Sequence, residues 1–126
     1  MVKIHVTLLA QGDAFSPTMA EQLSGIAFDN KNEHGELGKK GRYRDVPTPF
    51  GAARKQWADQ DPGDPTVAFL EEFSALVDAS RLATATTMRL HLDVAYLDQC
   101  NMELGVEFVN ALSRANMGLT ITCYES

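Results

Sequence analysis

The chain has 126 residues and a formal net charge of −6, with 44% hydrophobic and 22% charged side chains. That length fits one domain, 1–126, in which roughly two-thirds of the unfolded surface can be buried without help from disulfides or metal. The net acidity opposes non-specific binding to DNA, RNA or anionic membranes, so nucleic acid and membrane partners are not expected.

Val2 to Ala10 alternates apolar and polar residues and reads as a strand, with Val2, Ile4, Val6 and Leu8 on one face. This start lacks the unbroken apolar stretch of a signal peptide, and no run is long enough for a transmembrane helix, so the expected compartment is the cytoplasm. Ser16-Pro17 is a helix start, Ser as N-cap and Pro at the first helical position. Met19, Leu23 and Ile26 then fall at i, i+4 and i+7, and Gly25 marks the end of a short helix. From Ala27 to Gln60 the helical period vanishes under Gly35, Gly38, Gly41, Pro47, Pro49 and Gly51. Short strands are expected there near 26–31, 41–46 and 52–58. Asp64 before Pro65 signals the next helix, whose stripe is Phe69, Leu70, Phe73, Leu76 and Val77. Thr86 to Leu97 alternates as a strand, Leu104, Phe108 and Leu112 mark a third helix, and Gly118 leads into a last strand, Leu119 to Tyr124. This order predicts an α+β fold: a mixed sheet with about three helices mainly on one face, ferredoxin-like or a related two-layer sandwich. The last strand–helix–strand step should join parallel strands.

Charge is unevenly spread. Residues 29–55 hold seven of the eleven basic side chains against four acids, a net of +3, whereas eleven acids face three arginines from Asp59 onward. Such a field orients a charged partner on approach. Asp59, Asp61 and Asp64 do not follow a calcium-loop pattern, because Gly63 and Asp64 occupy the fifth and sixth places and Leu70 the twelfth. His5, His34 and His91 lack metal-ligand spacing; His5 and His91 would meet only if their strands were neighbours. Cys100 and Cys123 form no CxxC and read as reduced thiols. Gly38-Lys39-Lys40 departs from a phosphate loop, which needs Ser or Thr after the lysine. Lys39, Arg42 and Arg44, with the lone Trp57, could still hold an anionic ligand. Neither a catalytic set nor a cofactor or metal site is marked.

Two stretches carry a family likeness. Phe15-Ser16-Pro17-Thr18, continuing to Leu23-Ser24-Gly25-Ile26, and the closing run from Leu104-Gly105 through Asn116-Met117-Gly118 to Cys123-Tyr124, with a Gly/Lys-rich hairpin and lone Trp57 between, resemble small bacterial proteins of domain-of-unknown-function family four-two-seven-nine. The resemblance implies a stand-alone bacterial α+β protein with no established catalytic residues to carry over; by association, small acidic families of this kind often look like immunity proteins of toxin systems. The Glu33–Pro49 stretch is a long insert relative to that pattern.

The expected function is therefore a non-enzymatic protein-binding module, an immunity-type inhibitor whose partner is another protein such as a toxin domain. Asp59, Asp61, Glu71 and Glu72 are its expected contacts. The alternatives are an anion or nucleotide binder or small enzyme using Lys39, Arg42, Arg44 and Trp57, and a structural or regulatory homodimer.

Overall fold

The computed structural model describes residues 2–126. In chain order they form β1 (Val2–Gly12), α1 (Pro17–Ser24), β2 (Asn30–Asn32), a 3-10 turn (Gly41–Tyr43), β3 (Gly51–Trp57), α2 (Val67–Leu82), β4 (Thr87–Tyr96), α3 (Val106–Ala115) and β5 (Gly118–Glu125). The strands make one mixed sheet in the order β2-β3-β1-β4-β5, which with three helices gives the α+β class. β2 and β3 pair antiparallel, while β4 and β5 pair parallel from Arg89↔Gly118 to Tyr96↔Glu125, as the strand–helix–strand pattern requires. Among the described residues no helix is long and apolar enough to cross a membrane. Packing groups the chain into two compact units: Met1–Leu8, Gln56–Ser74 and Arg89–Ser126 form the first, and Leu9–Lys55 with Ala75–Met88 the second.

The first unit buries Ile4, Val6 and Leu8 of β1 and Leu90, Leu92 and Val94 of β4, the residues at a period of two. His91 and Asp93, on the opposite phase of β4, stay half-buried, so one face of that strand carries the core. Phe69 is the centre of the aromatic packing. It stacks on Phe73 and Phe108 at 6.0 and 6.2 Å, and Trp57 meets it edge-on at 5.0 Å. The N-cap of α2 is Thr66, not Asp64: the Thr66 hydroxyl accepts from Phe69 N at 3.1 Å, whereas the backbone N–H of Asp64 closes a turn onto Asp61 O. Pro65 therefore precedes the cap instead of opening the helix.

In the second unit the Ser16-Pro17 signal holds. Ser16 Oγ accepts from Met19 N, and α1 ends at Gly25 in the left-handed region (φ 74°). The apolar stripe of α1 is different from expectation. Pro17 and Ala20 are its buried residues, and Met19 and Leu23 lie outward, 47% and 54% exposed. The expected strand near 26–31 is confined to Asn30–Asn32. Ser24 Oγ takes Ile26 N and Glu21 Oε2 takes Phe28 N, so those amides are already occupied before the ladder begins.

No strand forms at 41–46. Gly41 and Asp45 adopt positive φ (72° and 58°), and the segment bonds to itself, Arg44 N to Gly41 O, Asp45 N to Gly38 O and Val46 N to Tyr43 O. The segment is nonetheless bonded around buried Thr48. The Thr48 hydroxyl lies 3.0 Å from both Glu33 O and Glu36 O, and its backbone exchanges hydrogen bonds with Glu36 and Gly35.

Candidate functional site

A cleft of about 400 Å³ in the first unit is built from three pieces of chain: Val2, Lys3 and Ile4 at the start of β1, the Asp59–Asp61 loop after β3, and Asn101, Met102 and Glu103 before α3. Backbone bonds fix each wall. Gln60 N donates to Ile4 O at 2.8 Å, which ties the second wall to the first, and His5 Nδ1 accepts from Asp59 N at 3.3 Å. Asp59 sits in the left-handed region (φ 51°), a conformation that Asp and Asn tolerate better than other side chains. Asp61 Oδ1 accepts from Gly63 N at 2.9 Å and so shapes the following turn.

The third wall docks through glycine. Gly105 N donates to Pro62 O at 2.8 Å, and a Cβ at Gly105 would come within 2.4 Å of Gly63 O. Only a residue without a side chain allows the two loops to approach this closely. Asp59, Asp61 and Glu103 thus line one concavity, and Lys3 is the single basic side chain among its described lining residues. Three acids against one base leave it negative, and a low-dielectric concavity focuses that field outward.

Of the four acids expected from the sequence, Asp59 and Asp61 come together here, and Glu71 and Glu72 are not among the cleft's lining residues. Glu71 is exposed on α2. Glu72 accepts the indole N–H of Trp57 at 2.8 Å, so its carboxylate serves the core of the unit. Trp57 is itself buried against Phe69. Lys39 lines a hollow of about 210 Å³ in the second unit, alongside Lys31, Lys40, Glu36, Tyr43 and Phe50. Lys31 is already paired with Glu21. Arg42 lies over the ring of Tyr43, 5.7 Å from its centroid, and Arg44 is exposed. Lys3, Asn101 and Glu103 escaped the sequence reading. The only local hint was that Pro62-Gly63 and Leu104-Gly105 both place glycine where chains can meet closely.

The remaining chemistry-bearing groups are held singly. β1 and β4 are neighbours, but His5 is engaged by Asp59 N, while His91 Nε2 lies 3.0 Å from Thr122 Oγ1 and 3.1 Å from Asp93 Oδ1. Both His91 contacts use one ring nitrogen, so the ring cannot pass a proton between them as a relay requires. The thiol of Cys100 faces that of Cys123.

β5 presents a second surface. Leu119, Ile121 and Cys123 pair in register with Leu90, Leu92 and Val94, yet Leu92 is fully buried and Ile121 is 43% exposed. Val106 and Val109 of α3 are exposed as well. From Gly118 to Tyr124 this edge strand bears no charge and no proline, the usual protections of an open edge. Set against protein-family models, curated proteins and solved structures, the chain matches none of them.

Proposed function

We propose that the chain is a non-enzymatic protein-binding module of the immunity-inhibitor kind, and that its acidic cleft takes a basic segment of the partner protein. The observation that carries this reading is the convergence of Asp59, Asp61 and Glu103 on one concavity faced, among the described residues, by the single base Lys3. An arginine or lysine side chain entering it would exchange water for charge-assisted hydrogen bonds. The surrounding acidity would speed encounter with a basic surface. The toxin-neutralising role itself rests on the family resemblance.

Calorimetric titration with a short arginine-rich peptide, at low and at raised salt, tests the reading. The control is the triple variant Asp59→Asn, Asp61→Asn, Glu103→Gln. Asn suits the left-handed backbone at 59 and keeps the acceptor that Asp61 offers Gly63. Binding should weaken with salt and drop by about tenfold or more in the variant. Equal binding by both proteins sinks the proposal.

The open edge of β5 favours a second reading, a homodimer formed with another copy of this chain. Antiparallel pairing about a twofold axis at Ile121 sets Leu119 against Cys123, Thr120 against Thr122 and Ile121 against itself, so both faces match. Sedimentation equilibrium decides it: the wild type should be a dimer and Ile121→Lys a monomer. A monomeric wild type at the highest soluble concentration overturns this reading.

A further inference from the structure

Cys100 and Cys123 lie 23 residues apart in sequence, and their sulfurs are 3.7 Å apart. Neither is locked in the core: Cys123 is exposed and Cys100 half-buried, and each is the other's thiol partner. A disulfide needs its sulfurs about 2.05 Å apart. Cys100 lies in the loop that follows β4, just past the tight turn in which Gln99 N donates to Leu97 O. Cys123 is held in place by its ladder with Val94, so the loop is the part that must move.

That loop is also the third wall of the acidic cleft. Cys100 immediately precedes Asn101, Met102 and Glu103, all of which line it. We propose that Cys100 and Cys123 are a disulfide-forming dithiol, oxidised by small-molecule disulfides such as glutathione disulfide, and that the bond fastens the cleft wall to β5.

The steps balance. The thiolate of exposed Cys123 attacks one sulfur of glutathione disulfide, which breaks that S–S bond, releases one glutathione thiolate and leaves Cys123 in a mixed disulfide. Cys100, having lost its proton to water, then attacks the Cys123 sulfur. The protein disulfide forms, the second glutathione leaves, and both departing thiolates take up the two protons the cysteines gave. The protein loses two hydrogens and one glutathione disulfide becomes two glutathiones. In the dithiol, desolvation, and then the hydrogen bond and charge of Cys123, push the Cys100 thiol above its ordinary range.

The test treats dilute, reduced protein with glutathione disulfide, quenches with acid and a thiol-alkylating agent, and reads intact mass with a non-reducing gel. The wild type should lose both alkylatable thiols and two hydrogens, keep no glutathione and stay a single chain. Cys100→Ser should instead trap one glutathione on Cys123. Retained glutathione on the wild type, a disulfide-linked dimer, or two thiols still free after Cys100→Ser has reacted would each overturn the proposal. The effect on partner binding rests on the cleft reading and fails separately. Peptide that binds neither form counts against the cleft, whereas peptide that binds reduced and oxidised protein equally counts against control by the disulfide.

Discussion

Trp57 gives its indole N–H to Glu72 Oε1 across 2.8 Å, with the indole ring standing edge-on to Phe69. A residue that looks like a surface acid in sequence thus completes the hydrogen bonding of the one tryptophan in the core. Glu72→Ala leaves that N–H without its acceptor and should cost about 1–3 kcal/mol in a urea melt. Glu72→Gln keeps an acceptor oxygen and should cost distinctly less. Neither change should alter binding of a basic peptide if the cleft is the docking site.

Thr48 is the pin of the basic segment. Thr48→Val keeps the shape and removes the one hydroxyl proton shared between Glu33 O and Glu36 O, together with the acceptor of Asn32 Nδ2. The expected cost is about 1–3 kcal/mol. Limited trypsin digestion should show faster cleavage after Lys39, Lys40 and Arg42. An unchanged cleavage rate would mean the segment is held by something other than Thr48.

Gly105→Ala drives a methyl group toward Gly63 O, which lies 2.4 Å from the position the new carbon would take. Backbone must shift, so a loss of about 1–3 kcal/mol is expected. The amide of Gly105, bonded to Pro62 O, should exchange faster with solvent.

Glu21 sets an acid limb. Burial on its own would raise its pKa, but the hydrogen bonds from Lys31 and Phe28 N and the charge of Lys31 outweigh it and hold the carboxyl below its ordinary value. A depressed carboxyl stabilises the folded state fully above its ordinary pKa and loses that contribution as pH falls through the folded value. Wild-type stability should therefore fall more steeply than that of Glu21→Gln as pH drops below the ordinary glutamate range. Parallel curves would remove Glu21 from the acid response.

Ser80 carries a fully buried hydroxyl that has no hydrogen-bond partner among the described residues. Ser80→Ala removes a polar group that gains nothing by being buried. Stability should be unchanged or rise by up to about 1 kcal/mol. A clear loss would show that the hydroxyl has a partner, such as bound water.

What the sequence showed well was local. Ser16-Pro17 caps a helix through contacts three residues away, and the alternation of Leu90, Leu92 and Val94 repeats at the pleat period. The errors have local causes too. Residues 41–46 look extended by composition, but positive φ at Gly41 and Asp45 folds them back into turns. Asp64-Pro65 imitates a cap that Thr66 supplies. Met19 and Leu23 have helical spacing without facing a core, because the smaller Pro17 and Ala20 are the residues α1 buries.

The cleft divides in the same way. Asp59 and Asp61 stood out as neighbours in one loop, whereas Lys3 and Glu103 come from segments far apart in sequence and join them through backbone docking at Ile4 and Gly105.

The most direct measurement on the central claim is an amide chemical-shift map of the protein titrated with the arginine-rich peptide. The account predicts saturable shifts concentrated at Asp59–Asp61 and Asn101–Glu103, with Lys3 beside them, absent from the triple variant. Shifts spread over Glu71, Asp78 and Glu107, or unchanged in the variant, would contradict it: the acidity would then act as a diffuse field and the cleft would not be a binding site.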